Sequence, residues 1–419
     1  MTHSKKKTLS VIFFTVFLDL LGVGLIIPVL APILIDNQSG IFSTETDFTT
    51  KTIIFGIILS LYSFAQFFSN PVFGALSDRY GRRKILLYSL VGTIVGYSIL
   101  ALGIEMSSLT LVILGRILPG FASGNLTIAY SSLADVSNEQ TKTKNFGLIG
   151  MAFGLGFVIG PFLGGKLADS GFVSWFNFTT PFLAAVLLAI INLILAYKLF
   201  PETLQESKKS IISLFEGINN IKKAFTYKSL RNLFAIVFIN NFGFAFFTQF
   251  FIIILLEKFG FMQDGIGIVY GYLGIWVAIS QGIILRPLAN RYTAAKLALY
   301  TLPLTTISLI VLLLPDSAIY LFVIIPFIAF SQSTSTSSIQ AMISNIADEN
   351  KQGEILGISS SMNALSQAFP ALIGGGVAAA DLSYPIILAA ISAFVAWLML
   401  VNLYVRKSII RTQEVGKIS

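Results

Sequence analysis

The feature that most constrains this chain is the recurrence, from one end to the other, of apolar runs about twenty residues long. An α-helix rises 1.5 Å per residue, so roughly 20 apolar residues cross a hydrocarbon core about 30 Å thick. Hydrophobic residues make up 55% of the 419 positions and charged residues only 11%, whereas an average soluble domain is roughly 25% charged. The composition therefore predicts a multi-pass membrane protein.

The hydropathy pattern predicts twelve membrane-spanning helices separated by short polar breaks. The first run follows three lysines, as in a secretory signal, but it extends from Leu9 to Leu34 and exceeds the roughly 7–15 residues of a signal h-region. We therefore interpret it as a retained first span. The predicted spans are 9–35, 52–76, 85–104, 108–131, 145–168, 177–200, 230–256, 264–289, 297–314, 318–341, 354–380 and 384–405.

Lysine and arginine are distributed unevenly over the predicted loops. If the connections alternate between the two sides of the membrane, most of the 28 basic residues fall on the side that holds both termini. The exceptions are Lys51, Lys166 and Lys258 on the other side and Arg116 inside a span. Basic residues remain in cytoplasmic loops, so both termini are predicted to be cytoplasmic. This asymmetry explains the net charge of +8 without a nucleic-acid partner.

The longest break, residues 201–229, divides the chain into two halves. Its apolar residues recur at helical spacing among lysines, which favours an amphipathic helix on the inner leaflet over the alternative, a solvated linker. These residues are Ile211, Leu214, Phe215, Ile218, Ile221 and Phe225. The predicted organisation is an N-terminal six-helix bundle (1–200), an amphipathic linker (201–229), a C-terminal six-helix bundle (230–405) and a cytoplasmic tail (406–419).

The two halves repeat one another, because three short patterns recur in the same order after equivalent spans. A six-plus-six repeat is the internal symmetry of one large class of secondary transporters. The matches are Leu76–Tyr80 with Leu288–Tyr292, Ala134-Asp135 with Ala347-Asp348, and Pro161 and Gly164-Gly165 with Pro370 and Gly374-Gly375.

The loop after the second predicted span reads Gly74-Ala75-Leu76-Ser77-Asp78-Arg79-Tyr80-Gly81-Arg82-Arg83-Lys84. Here the chain resembles the major facilitator superfamily, whose signature loop (motif A) has this pattern, and the resemblance covers the whole chain. It implies an all-α membrane protein with twelve transmembrane helices in two pseudo-symmetric six-helix bundles. It also implies a conformational latch, with Asp78 near the start of the eleventh span, where a helix N-terminus favours an anion. The latch residues would be Gly74, Asp78, Arg79, Gly81, Arg82 and Arg83; the alternative is a charge cluster that only fixes topology.

The fifth predicted span carries regularly spaced glycines that resemble motif C, a pattern found mainly in drug/proton antiporters of this superfamily. Glycines on one face allow close helix packing, and a proline leaves a carbonyl without its helical partner. The resemblance implies a tight seal against the eighth span, whereas generic small-residue packing is the alternative. The residues are Gly147, Gly156, Gly160, Pro161, Gly164 and Gly165.

Asp19 is the only acidic residue deep in any predicted span. It lies about 15 Å into the first span, where a carboxyl costs at least about 2.5–3.5 kcal/mol and is rarely present without a function. The segment from Asp19 to Leu30 resembles the first span of tetracycline and multidrug exporters (motif D), and Arg116 resembles the buried arginine of motif B. We interpret Asp19 and Arg116 as proton-coupling residues, because a change in burial or ion pairing moves a proton on or off a carboxyl. A static ion pair is the alternative.

The predicted substrate follows from what the spans contain and lack. Tetracycline pumps carry further acids in their third and ninth spans, whereas residues 85–104 and 297–314 contain none, so tetracycline is not expected. Amides favour a neutral or amphipathic ligand, although each could equally be an interhelical hydrogen bond. The substrate-binding candidates are Asn125, Asn240, Asn241, Gln249, Gln281, Asn363 and Gln367.

These patterns predict a secondary active transporter, a proton-coupled antiporter that exports a small amphipathic drug or metabolite by alternating access. The alternative is a proton-coupled importer of a nutrient or siderophore-type metabolite. The chain has no cysteine and only one histidine, His3, so neither an enzyme nor a metal or cofactor site is expected. We expect a monomer in the inner or plasma membrane that interacts with a small-molecule substrate, protons and the lipid bilayer.

Overall fold

The computed structural model describes residues 3–36, 40–137, 139–204, 213–227, 230–346 and 352–415. These residues form α-helices, a π-helical segment (Ser280–Ile284) between α10 and α11, and a short 3-10 helix (Ala318–Tyr320) before α13. The α-helices are α1 (His3–Leu34), α2 (Phe48–Tyr80), α3 (Arg82–Glu105), α4 (Leu109–Ala122), α5 (Asn125–Val136), α6 (Glu139–Leu167), α7 (Thr180–Leu199), α8 (Glu216–Thr226), α9 (Arg231–Glu257), α10 (Gln263–Ile279), α11 (Leu285–Arg291), α12 (Ala294–Val311), α13 (Leu321–Ile346), α14 (Gln352–Ala380) and α15 (Tyr384–Val415).

Ten helical stretches of the described residues are long and apolar enough to cross a membrane. Two of them consist of consecutive helices: α4 with α5, and α10 with α11. Helix α6 adds a shorter apolar stretch, Met151–Leu167, and α14 is 29 residues long. The predicted multi-pass membrane protein is therefore confirmed, with an all-helical fold.

Two helix interruptions depart from the hydropathy prediction. The fourth predicted span is broken after Ala122, and α5 begins at Asn125. A Cβ atom on Gly124 would clash with the Phe73 ring, so the bare backbone at the break lets α2 approach closely. The eighth predicted span changes to π-helical hydrogen bonding over Ser280–Ile284. Hydropathy reports apolar content and not hydrogen-bond register, so neither interruption was visible in the sequence.

Buried apolar side chains form three clusters. One lies within the first half of the chain, around Ile12, Leu86 and Ile128. Another lies within the second half and includes Phe234. The third draws on both halves and joins α1 and α2 to α9, where Phe247 is fully buried. Each half thus has its own core, and a shared core holds the halves together.

The two halves meet along two helix pairs in which glycine removes the side chain at the contact. Helix α6 packs against α10, where a Cβ on Gly165 would lie 2.5 Å from the carbonyl oxygen of Gln263. Helix α14 packs against α2, where a Cβ on Gly56 would lie 2.6 Å from the carbonyl oxygen of Ala371. We call these contacts the α6–α10 seam and the α2–α14 seam. Side chains this small let the backbones of the two halves touch.

Polar contacts close the α6–α10 seam at the end of the bundle where α6 ends and α10 begins, here called the outer face. Lys166 Nζ lies 3.7 Å from Asp264 Oδ2, and Gln263 Nε2 donates to the carbonyl oxygen of Ala168 at 3.4 Å. Both contacts join the first half of the chain to the second. The structure is therefore a conformation in which the halves are closed at the outer face.

Helix α8 also contacts both halves of the chain. A Cβ on Gly217 would lie 2.9 Å from Phe67 Cζ of α2, and Asn220 Nδ2 donates to Ser361 Oγ of α14 at 3.1 Å. Its apolar residues Phe215 and Phe225 are exposed. A helix thus occupies the predicted linker, while its position on the inner leaflet stays a prediction. Ile211 and the rest of 205–212, with 228–229, lie outside the described residues.

The end of the last helix differs from the predicted boundary. Helix α15 runs to Val415, whereas the tail was predicted to begin at residue 406. Lysine and arginine follow residue 404, and polar residues are compatible with a helix once it has left an apolar environment. Hydropathy therefore marked the end of the apolar stretch and not the end of the helix.

Adjacent glycines in α14 provide a test of the α2–α14 seam. In Gly375→Ala the new methyl group would clash with the carbonyl of Thr52, while in Gly376→Ala it would meet nothing within 4 Å. Overpacking at Gly375 should lower the free energy of unfolding by about 1–3 kcal/mol. Replacing Gly376 should stabilise the helix by about 0.5–1 kcal/mol.

The measurement is the thermal unfolding midpoint of each purified variant in the same detergent. Gly376→Ala is the matched control, one residue away on the same helix. Equal midpoints for the two variants would contradict the packing of this seam.

Candidate functional site

The side chain of Asp19 lies in the middle of α1 and is half-buried. Its Oδ1 accepts a hydrogen bond from Asn125 Nδ2 at 2.8 Å. Asn125 is the first residue of α5 and only 2% exposed, and its Oδ1 accepts a hydrogen bond from Ser89 Oγ of α3. The break between α4 and α5 therefore places an amide donor and the N-terminal end of a helix beside the carboxyl group, and both interact favourably with negative charge.

Arg116 lies in the same polar region without touching Asp19. Its guanidinium carbon is 4.9 Å from the centroid of the Tyr62 ring, and its Nε is buried with no partner among the described residues. Tyr62 of α2 and Tyr97 of α3 interact electrostatically with both Asp19 and Arg116. None of the ion pairs between described residues joins Asp19 to Arg116. The alternative, a static ion pair of Asp19 with Arg116, is thus not found among the described residues, and in this conformation Asn125 is a hydrogen-bond partner of Asp19.

Arg82 is the centre of the predicted latch loop. Its side chain is 4% exposed, with Nη1 2.6 Å from Asp78 Oδ1 and Nε 3.0 Å from Asp135 Oδ2. Nη1 also donates to Ser77 Oγ at 2.7 Å. Asp135 lies near the end of α5, so these contacts tie α2, α3 and α5 together. The predicted neighbour of Asp78 is the start of the eleventh span (354–380). Residues 347–351 before it and the side chains of 352–354 lie outside the described residues, so a latch between the halves stays a prediction.

Two residues that were not singled out from the sequence complete this loop. The Glu202 carboxylate accepts hydrogen bonds from the backbone N–H groups of Arg82 at 2.9 Å and Arg83 at 3.2 Å. Thr203 Oγ1 donates to Asp135 Oδ2 at 3.1 Å. The available signal was an acid just past the sixth predicted span, because the free N–H groups at the start of a helix attract a carboxylate. The sequence places both residues only at the start of the predicted linker, 201–229.

The other latch residues support the same loop. Gly81 has φ 99°, and a Cβ there would lie 2.5 Å from Glu202 Oε2, so glycine is required. The guanidinium of Arg83 donates to the carbonyl of Tyr197, and that of Arg79 lies 5.3 Å from the centroid of the Tyr80 ring. Gly74 faces Thr127 of α5 at ordinary contact distance. These contacts between described residues hold the loop to the first half of the chain and to the start of the linker.

The glycines of the fifth predicted span lie in α6 between two neighbours. A Cβ on Gly160 would lie 2.7 Å from Gly24 Cα of α1, and one on Gly156 would lie 2.8 Å from Leu20 Cβ. The carbonyl of Pro161 faces Gly267 of α10. Gly147 lies in α6, where side chains of residues 139–148 are not described. Helix α6 thus packs against both α1 and the helix of the eighth predicted span; whether this packing serves antiport stays a prediction.

The repeated glycine pair occupies equivalent positions in the two halves. A Cβ on Gly164 would clash with α1, the first helix of its own half, and Gly165 faces α10 of the other half. Likewise, a Cβ on Gly374 would clash with α9, the first helix of its own half, and Gly375 faces α2 of the other half. The sequence repeat thus corresponds to a repeated packing arrangement.

Most of the predicted substrate-binding amides form interhelical hydrogen bonds. Asn125 binds Asp19, as described above. Asn241 Nδ2 donates to Asn363 Oδ1, and Gln249 Nε2 donates to the carbonyl oxygen of Gln367 at 3.1 Å, so both pairs join α9 to α14. The remaining three are Asn240, whose buried polar atoms lack a partner within the described part of the chain, Gln281, which is exposed on the π-helical segment, and Gln367, whose side chain is exposed.

A helical membrane protein with two repeated halves and a polar cluster inside one of them has the architecture of a transporter. The family model described as Major Facilitator Superfamily matches residues 12–369 and, in a second match, residues 233–415. The chain therefore belongs to the major facilitator superfamily.

The chain is similar to drug-resistance transporters over nearly its whole length. It is 29% identical over 380 residues to the class C tetracycline resistance protein of Escherichia coli, covering 90% of this chain and 91% of that protein. It is 26% identical over 393 residues to multidrug resistance protein 1 of Bacillus subtilis (strain 168), covering 93% and 94%. The resemblance to exporters of this kind is confirmed.

Solved structures share the fold at lower sequence identity. The human organic anion transporter MFSD10 (TETRAN) matches with a TM-score of 0.74 and 21% identity, covering 94% of this chain and 99% of that one. A D-xylose–proton symporter matches with a TM-score of 0.71 and 14% identity, covering 94% and 97%. At these identities the likeness establishes the fold alone.

Glu202 offers a test of the latch loop. In Glu202→Gln the backbone N–H groups of Arg82 and Arg83 lose their charged acceptor, which should lower the free energy of unfolding by about 1 kcal/mol. The matched control is Glu216→Gln, which removes a half-exposed ion pair with Lys223 in α8 and should change stability less. Thermal unfolding of both variants checks this, and an equal or larger loss in Glu216→Gln would refute the role given to Glu202.

Proposed function

We propose that the protein is a proton-coupled antiporter that exports a small amphipathic organic compound by alternating access. The proposal includes twelve spans in two six-helix bundles, cytoplasmic termini and a monomer in the inner or plasma membrane. The observation that carries it is the Asp19 carboxyl in the middle of α1, bonded to Asn125 at a break inside a membrane-spanning stretch. An ionisable group at such depth is costly and marks proton or substrate pathways.

Asp19 is the group best suited to carry the proton. The chain has no cysteine, and its one histidine is His3. Arg116 stays protonated under all ordinary conditions, so in this proposal it supplies a fixed positive charge beside Tyr62. Asp19 would release its proton on one side of the membrane and take up another on the opposite side as its surroundings change between states.

The packing of α6 supports the alternating-access part of the proposal. Its glycines press against α1 and α10 at the same time, so α6 cannot move without changing a contact within its half and a contact between the halves. The α6–α10 seam is closed here at the outer face by Lys166 and Asp264. Alternating access would require this seam to open while the other end of the bundle closes.

The substrate class follows from the charges inside the bundle. The acidic residue of α3, Glu105, is the last residue of that helix and accepts a hydrogen bond from Thr179 Oγ1 at 2.8 Å, and the sequence of α12 contains no acid. A strongly cationic ligand would thus lack a second carboxylate. Aromatic contacts such as that between Phe64 and Phe369, with centroids 5.6 Å apart, suit an amphipathic compound instead.

Import is the competing function. The fold is shared with a D-xylose–proton symporter as well as with an organic anion transporter, so architecture alone fits either direction. Asp19 would serve a symporter equally well. Direction must therefore be measured.

Asp19→Asn tests the coupling. The variant mimics a permanently protonated carboxyl, so it should still bind substrate. Its transport driven by a pH gradient should fall to the background level. The substrate is a fluorescent amphipathic dye selected by thermal shift on the purified protein, and transport is followed in proteoliposomes. The matched control is Asp381→Asn, which changes an exposed acid in the turn between α14 and α15 and should transport normally.

Two outcomes would overturn the proposal. Dye accumulation on the side that protons enter would show import. Gradient-driven transport that survives in Asp19→Asn would show that another group carries the proton.

A further inference from the structure

A continuous line of hydrogen-bonding groups runs from Asp19 to the end of α4. Asn125 Nδ2 donates to Asp19 Oδ1 at 2.8 Å, and Ser89 Oγ is within hydrogen-bonding distance of both Asn125 Oδ1 and the carbonyl oxygen of Ala122. Asn125 is 2% exposed and Ser89 is fully buried. Bulk water therefore does not compete for these bonds, and each group depends on its neighbours in the line.

Ser89 cannot serve both acceptors at the same time. A hydroxyl group carries one proton, so Ser89 donates either to Asn125 or to Ala122. The carboxamide of Asn125 has a donor end and an acceptor end, and a half-turn of its side chain exchanges them. The line can thus exist in two arrangements. The bonds on either side of the Asn125 amide reverse direction between them, and the bond from Ser89 to the carbonyl of Ala122 is present in only one.

We propose that Ser89 and Asn125 form a relay that reports the protonation of Asp19 to the break between α4 and α5. When Asp19 is ionised, Asn125 Nδ2 donates to its carboxylate and Ser89 donates to Asn125 Oδ1. When Asp19 is protonated, its O–H donates to Asn125 Oδ1 after the amide turns. Asn125 Nδ2 then donates to Ser89 Oγ, and Ser89 donates to the carbonyl of Ala122.

The far end of the relay gives it a mechanical effect. Ala122 is the last residue of α4, and only Ser123 and Gly124 separate it from α5. A buried carbonyl that loses its donor is destabilised, so ionisation of Asp19 weakens the α3 contact that holds the end of α4. Protonation restores that contact. Ser89 and Asn125 are positioning residues in this relay, since they act through Asp19 and Ala122.

The surroundings of Asp19 favour this exchange. The titratable and charged groups that act on the same region are Tyr62 of α2, Tyr97 of α3 and Arg116 of α4. Arg116 offers donors alone and cannot accept a bond from protonated Asp19, whereas Asn125 already touches it. The other charged side chains described on helices packed against α1 lie at or near helix ends: Lys51, Asp78 and Arg79 of α2, Asp135 of α5, Lys166 of α6, Lys198 of α7, Arg231 and Glu257 of α9, and Asp264 of α10.

The relay rests on the proposed proton coupling, and infrared difference spectroscopy separates the two. Spectra are recorded on the purified full-length protein in lipid nanodiscs across roughly pH 5 to 9. The Asp19 carboxyl band is assigned by its loss in Asp19→Asn, and the Asn125 amide band by its loss in Asn125→Ala. The relay predicts that both bands change with the same midpoint in the otherwise unaltered protein.

A spin-label pair measures the effect on the helix break. The chain has no cysteine, so Leu118→Cys on α4 and Ala134→Cys on α5, both exposed, can be labelled selectively. The distance between the labels should change with pH, and this change should be lost in Ser89→Ala. In the matched control Ser69→Ala it should persist, because Ser69 donates to the carbonyl of Gly120 at 3.1 Å and makes no described contact with Asn125.

The possible outcomes distinguish failure of the proton coupling from failure of the relay. An Asp19 band that does not titrate overturns both the proton coupling and the relay. A titrating Asp19 band with an unchanged Asn125 band overturns the relay alone, as would follow if a tyrosine oxygen accepted the bond from protonated Asp19. A pH-dependent label distance that survives in Ser89→Ala also overturns the relay alone.

Discussion

Inside a bilayer every backbone polar group needs a partner within the protein, and the break between α4 and α5 shows how this chain meets that requirement. The break interrupts the helical hydrogen bonds near Gly120 and Ala122. Ser123 Oγ donates to the carbonyl of Gly120 at 2.6 Å, and Ser69 of α2 donates to the same carbonyl at 3.1 Å. Ser89 of α3 reaches the carbonyl of Ala122. Serines from the neighbouring helices therefore stabilise the break, and the break in turn directs the start of α5 at Asn125 toward Asp19.

Helix α5 connects this site to the loop after α2. Asn125 stands at its first residue and Asp135 near its last, about 15 Å apart along the axis at 1.5 Å per residue. Asp135 binds Arg82, and Thr203 holds the same carboxylate. If α5 moves as a rigid unit, a shift at its Asn125 end would reach the charged loop. The carboxyl in the membrane and the loop that characterises the family are thus joined by a single element.

Composition and periodicity could predict the class of protein, because apolar length and the cost of a buried charge are local properties of the chain. They identified Asp19 for the same reason, whereas the glycines of α6 were singled out by their resemblance to motif C. They could not predict the partner of Asp19, since Asn125 and Arg116 lie on the same predicted span and only the break at Gly124 decides which of them reaches the carboxyl. The role of Glu202 was equally hidden. Its partners at the start of α3 are over a hundred residues away in sequence, and nothing local links the two.

The two seams also explain why large side chains lie in the cores and glycines lie where the halves meet. Within the second half, buried apolar side chains such as Phe234, Leu302 and Ile339 form a core of their own, and interlocked side chains of this size resist sliding. At the seams, Gly165 and Gly375 present bare backbone to the other half. A contact made by backbone and small side chains has no side chains to disengage, so the two surfaces can separate and meet again without changing rotamers. Interlocked side chains thus pack the interior of each half, whereas backbone and small side chains form the two seams, as the proposed alternating access would require.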